Sequence, residues 1–82
     1  MTKEQKIIID RINELCVERR MTYYGLSYSS AIPLSTLLHI MDGTTKNPGV
    51  FTISKICDGL EITMGEFFAP LDLAKKVSLL NE

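Results

Sequence analysis

The sequence predicts an all-α domain, a compact bundle of five helices, and three observations predict it. Apolar residues recur at helical spacing along most of the 82-residue chain, and no segment alternates as a strand would. Threonines flanked by apolar residues recur as helix starts. Turn-forming residues gather at a few points, chiefly between residues 42 and 49.

The first helix is read from about Thr2 to about Arg20. Ile8, Ile9, Ile12, Leu15 and Cys16 fall within about a third of the circumference at about 100° per residue, so the segment is amphipathic. Thr2 and Gln5 have capping-box spacing. Arg19 and Arg20 place positive charge at the end where the helix dipole is negative.

Three later starts share one pattern: Met21-Thr22 with Leu26, Phe51-Thr52 with Ile56, and Ile62-Thr63 with Phe67. In each, the apolar residue before the cap is spaced to pack on the one four positions after it. The threonine oxygen takes an orphan amide, a cap worth about 1 kcal/mol. Thr63 adds Glu66, which completes a second capping box. Helix starts are therefore expected at Thr22, Thr52 and Thr63. The second helix runs from Thr22 through Leu26 and Ser27, and the run Ser29-Ser30-Ala31-Ile32-Pro33 interrupts it. The third spans Leu34 to Met41, with Pro33 at or beside its start, where a missing donor costs nothing. Asp42-Gly43 stops it, and Gly43 to Val50 forms the one long loop. The fourth helix carries Ile53, Ile56, Cys57 and Leu60 on one face, and a short fifth delivers Phe67 and Phe68 inward.

Two short helices separated by a tight turn, over Met21 to Gly43, make a helix-turn-helix unit. Its second member lies in the major groove when such a protein binds duplex DNA. The domain is expected over residues 1–69. Residues 70–82 form an amphipathic tail in which Leu73, Ala74, Val77 and Leu80 fall on one side of a sixth helix. Twelve residues are marginal alone. The tail either folds back or pairs with a second copy, and Ile7 and Val17 offer partner surface; dimerisation is the favoured expectation.

Composition narrows the function classes. The chain is 45% hydrophobic and 23% charged, with no apolar run near the roughly 20 residues a membrane span needs. Its first residues lack the long apolar centre of a secretory signal, so a cytoplasmic location is expected. Cys16 and Cys57 occupy apolar helical positions and are read as free buried thiols. With His39 they supply three soft ligands at spacings unlike a zinc module, which takes about four, so no metal and no cofactor is expected. One histidine, no nucleophile paired with a base and no glycine-rich phosphate loop argue against an enzyme.

Residues 8–68 resemble the Cro/cI repressor-like, or XRE, helix-turn-helix family, whose fold is the five-helix lambda-repressor-like domain. Three stretches carry the resemblance: Ile32-Pro33-Leu34-Ser35-Thr36-Leu37, the stop and loop from Met41 to Pro48, and the finish from Ile56 to Phe68. The resemblance implies a bacterial or phage DNA-binding regulator. It implies that Leu34, Ser35, Leu38 and His39 face base edges, that Thr22 and Tyr23 meet phosphate at the start of the second helix, and that Thr44, Thr45, Lys46 and Asn47 meet it again. Three positions depart from the family pattern. Ala31 replaces a turn glycine, which costs roughly 1 kcal/mol in a left-handed conformation. Ser27 replaces a packed alanine, so its hydroxyl is expected to bond back to a carbonyl one turn earlier. Glu61 stands where the fourth helix commonly ends with glycine.

Nine basic and ten acidic side chains give a formal charge of -1, so whole-molecule steering toward DNA is absent. Lys46 and the amides at the start of helix two still serve phosphate locally, with a modest salt slope. Leu34 and Leu38 suit thymine methyls, Ser35 bonds either way, and His39 donates to a purine acceptor. The plainer readings remain beside these: Leu34 and Leu38 as core or interface residues, His39 as a solvated surface imidazole, Tyr24 and Tyr28 as packing residues. A double-stranded DNA operator and a homodimer are the expected partners, with repression as the expected outcome. The alternative is a helix-turn-helix scaffold for protein contact, such as an antitoxin or a polymerase-binding partner.

Overall fold

Thr2 starts the first helix as its spacing predicts. In the computed structural model, which describes residues 1–70, α1 spans Lys3–Glu18 and is followed by α2 (Tyr23–Ser30), α3 (Leu34–Met41), α4 (Val50–Gly59) and α5 (Met64–Phe68). No strand occurs among the described residues. Both capping boxes form. The Thr2 hydroxyl accepts from the Gln5 amide at 3.1 Å while the Gln5 Oε1 accepts from the Thr2 amide at 2.7 Å, and Thr63 and Glu66 repeat the exchange at 3.0 and 3.1 Å. Thr22 caps α2 by accepting from the Gly25 amide at 3.0 Å.

Three helices end by the same device. Arg20, Ala31 and Glu61 adopt left-handed φ values of 52°, 56° and 58°. The amide of the next residue then reaches five residues back: Met21 to the Cys16 carbonyl at 2.8 Å, Ile32 to Ser27 at 3.1 Å, and Ile62 to Cys57 at 3.0 Å. This is Schellman-type closure without glycine. Each left-handed residue costs roughly 1 kcal/mol, offset by a satisfied carbonyl and by turning an apolar residue onto the core. Ile32 is buried, and Met21 and Ile62 pack against it.

The core comprises Ile12, Leu15 and Cys16 of α1, Leu26 of α2, Ile32, Leu37 and Ile40 around α3, Ile53, Ile56, Cys57 and Leu60 along α4, and Phe67 of α5. Phe67 and Phe68 meet edge to face, ring centroids 4.9 Å apart. Helices α2 and α4 approach closely, and a Cβ on Gly59 would lie 2.8 Å from the Ser30 amide nitrogen. A side chain there would force the helices apart. The Ser30 hydroxyl, buried in that contact, has no hydrogen-bond partner among the described residues.

Buried polar side chains tie the elements together. Arg11, only 7% exposed, donates from Nε to the Phe67 carbonyl at 2.7 Å and from Nη2 to the Glu66 carbonyl at 2.9 Å, and it pairs with Glu14 at 2.8 Å. It closes the end of α5 onto α1. The Ser27 hydroxyl donates to the Tyr24 carbonyl at 2.7 Å, the back-bond expected of it. Cys16 and Cys57 are free and buried, and burial pushes both thiols up from their ordinary value, so they remain protonated at neutral pH.

Two expectations are corrected. Helix four does not start at Thr52: Gly49 is the cap and the helix is under way at Val50. With Ile53, Ile56, Cys57 and Leu60 turned inward, Phe51 lies about 200° from Ile53 and points to solvent, 85% exposed, so it staples nothing. Helix two does not stop near Ser27 but continues to Ser30, because the turn needs only Ala31 in the left-handed region. Arg19 stands at the end of α1 as its place in the sequence indicates, and its Nε also donates to the Leu60 carbonyl at 3.0 Å and closes α4. The tail expected as a sixth helix lies outside the described residues.

Candidate nucleic-acid interface

Residue by residue, α3 divides into two flanks. Leu37 and Ile40 are buried and hold the helix to the core. Leu34, Ser35, Leu38 and His39 lie within about 140° on the other side. Ser35, Leu38 and His39 are exposed there, and Leu34 is half-buried. Leu38 is 40% exposed although its neighbour Leu37 is sealed. Pro33 caps the helix without a side-chain hydrogen bond. The outward row offers two isobutyl groups, a hydroxyl and an imidazole, a set suited to methyl contacts and short hydrogen bonds at base edges.

The loop after α3 is joined to it. Asp42 ends the helix, and its Oδ1 accepts from the Thr44 amide at 2.8 Å. Gly43 takes φ 84°, a region that favours glycine. The Thr45 amide donates to the His39 carbonyl at 2.9 Å. The Gln5 side chain reaches over from α1 and donates through Nε2 to the Gly43 carbonyl at 3.1 Å and the Thr45 carbonyl at 3.3 Å. Lys46 and Asn47 extend into solvent just beyond, and Thr44 is exposed beside them. Thr44, through its hydroxyl and its amide, holds the Asp42 carboxyl below the usual range, and the nearby His39 acts in the same direction.

At the start of α2, Thr22 is exposed and its oxygen is taken by the Gly25 amide. Tyr23 is half-buried against the core, and its hydroxyl bonds the Asn13 Oδ1 of α1. With that donor committed, the group Tyr23 still offers at the helix start is its backbone amide, one of the orphan donors of the first turn. Tyr24 and Tyr28 are exposed, which departs from the packing role expected of them. The structure thus brings His39 and Thr45 into direct contact, while Thr22 and Tyr23 sit on the adjoining helix without a hydrogen bond to that group among the described residues. Sequence reading missed Asn13 and the donor side of Gln5. Their partners lie 10 to 40 residues away, and no local pattern marks such pairs.

No described helix is long and apolar enough to cross a membrane. Among the described residues no three His, Cys, Asp or Glu side chains cluster as metal ligands. Comparison with curated proteins returned no match, and comparison with solved structures returned none. A family model does match, over residues 11–71, which takes in four of the five helices entirely and the inner part of α1. With the helix-turn-helix geometry above and a match over most of its length, the chain belongs to the family of Cro/C1-type HTH DNA-binding domains.

Proposed function

We propose that the protein is a sequence-specific regulator of transcription, acting as a repressor, that binds duplex DNA as a homodimer with α3 in the major groove. The observation that carries this reading is the division of α3, with Leu37 and Ile40 holding the helix while Ser35, Leu38 and His39 stay open along its other side beside the half-buried Leu34. Leu34 and Leu38 meet thymine methyls, Ser35 and His39 read hydrogen-bonding edges, and the Thr22 and Tyr23 terminus of α2 and the loop Thr44 to Asn47 grip phosphate. Two copies would set their recognition helices about 34 Å apart and read an inverted repeat. The work is binding rather than covalent chemistry, carried out in the cytoplasm.

Selection of bound sequences from a random duplex pool tests this directly. An enriched inverted repeat with thymine-bearing steps is the expected outcome; absence of any enrichment removes the reading. In the double variant Leu34→Ala with Ser35→Ala, the fold should persist and the preference among sequences should flatten, each lost base contact costing about 1–3 kcal/mol of discrimination. Exposure of Tyr24 and Tyr28 on α2 favours one competing reading, a scaffold for protein contact. Under it the same selection would enrich nothing.

A further inference from the structure

We propose that Gln5 is a positioning residue that sets the backbone of the loop Gly43 to Thr45, and through it the hold of that loop on DNA phosphates; the inference rests on the phosphate role proposed above for Thr44 to Asn47. The two capping boxes of the molecule provide the argument. In each, the third helical residue only has to accept a hydrogen bond from the cap's amide, a task that glutamate and glutamine perform alike. At the start of α5 the acceptor is Glu66, which is exposed. At the start of α1 it is Gln5, which is 6% exposed, and its Nε2 is not needed by the cap at all. Both bonds from that nitrogen go to the loop, at 3.1 Å to the Gly43 carbonyl and 3.3 Å to the Thr45 carbonyl.

A carboxylate at position 5 would complete the cap and face two carbonyl oxygens. Only the amide satisfies both sides, so the identity of this side chain is explained by the loop and not by the helix it begins. The loop needs such support. Gly43 to Asn47 buries no side chain, and its order comes from polar bonds: Thr45 to the His39 carbonyl, Thr44 to Asp42, and Gln5 from the opposite side. A backbone already shaped before binding loses less entropy when it meets phosphate.

The test compares Gln5→Glu with Thr2→Ala, using Gln5→Met as a second donor-free variant that brings no charge. Gln5→Glu, measured at mildly alkaline pH to keep the carboxyl ionised, retains the acceptor and removes the donor; Thr2→Ala removes the hydroxyl half of the cap and leaves the loop bonds. Two quantities are read: affinity for a random-sequence duplex, which reports phosphate contacts without base reading, and hydrogen exchange of the Thr45 amide. If the latched loop falls to about a fifth of the population, affinity drops about fivefold. Both Gln5 variants should show this drop together with faster Thr45 exchange, and Thr2→Ala should show neither. Unchanged Thr45 exchange in the Gln5 variants, or faster exchange with wild-type affinity while Lys46→Ala weakens binding, overturns the proposal. Wild-type affinity in Lys46→Ala as well would instead overturn the phosphate role of the loop.

Discussion

The two sides of α3 obey different rules. On the inner side, Leu37 and Ile40 lock into a core completed by α2, α4 and α5, where even the spacing between α2 and α4 leaves no room for a methyl at Gly59. On the outer side, Ser35, Leu38 and His39 are exposed and Leu34 is half-buried, and the adjoining loop is held by hydrogen bonds. Leucine occurs on both sides, so residue type does not separate a buried position from an open one. Position around the helix does. The comparison implies that stability and the proposed DNA contact would be carried by neighbouring side chains that can be altered separately.

The largest effect should come from Leu37→Ala against Leu38→Ala. Removing the fully buried side chain leaves a cavity and should cost about 2–5 kcal/mol in chemical denaturation, whereas the exposed neighbour should change stability by no more than about 0.5 kcal/mol. Equal losses would break the division of α3. A smaller effect separates two threonines that look alike in sequence. Thr63→Ala should cost about 1 kcal/mol, because a capping bond is lost. Thr52→Ala should stay within about 0.5 kcal/mol, since Thr52 lies inside a helix that Gly49 has already started. A costly Thr52→Ala would restore the later start.

The smallest effect concerns acid. Asp42 has its carboxyl held below the ordinary value of 3.8 by Thr44, first through the hydroxyl and then the amide, with His39 adding to it. A group lowered on folding contributes stability that is present above its unfolded value and lost as pH falls through the lower folded value. Protection of the Thr44 amide, taken relative to the unfolded-chain rate at the same pH, should therefore fall only below about pH 4, while amides on the inner side of α3 keep their protection over the first part of that fall. If the Thr44 amide were indifferent to acid, Asp42 would not shape the loop.

Much of this was legible in the residues themselves. Thr2, Thr22 and Thr63 announce their helices because a cap and its partner lie within one turn. Ala31 keeps the left-handed conformation that the family resemblance gave to a turn glycine at its place, and α3 runs from Leu34 to Met41 as its flanking Pro33 and Asp42-Gly43 indicate. The start at Thr52 misled because a staple pattern can be satisfied by spacing alone. The four inward residues of the same helix already placed Phe51 on the far side, and the helical period outweighed the local motif. Arg20 takes a left-handed conformation with nothing in its own chemistry to mark it, and Glu61 does so where only the family pattern of a glycine pointed to it; in each the following Met21 or Ile62 turns onto the core.

The sequence by itself determined that five helices form, near which residues most of them begin, and which stripe of each is apolar, since all of that follows from interactions within a turn or two. Tertiary structure alone decided that Arg11 closes the end of α5, that Arg19 serves α4, that Tyr23 turns inward to Asn13 and that Gln5 holds the loop. Each of these pairs a side chain with a group far along the chain. A buried polar atom must find a partner, and which partner stands within reach is settled only when the helices pack.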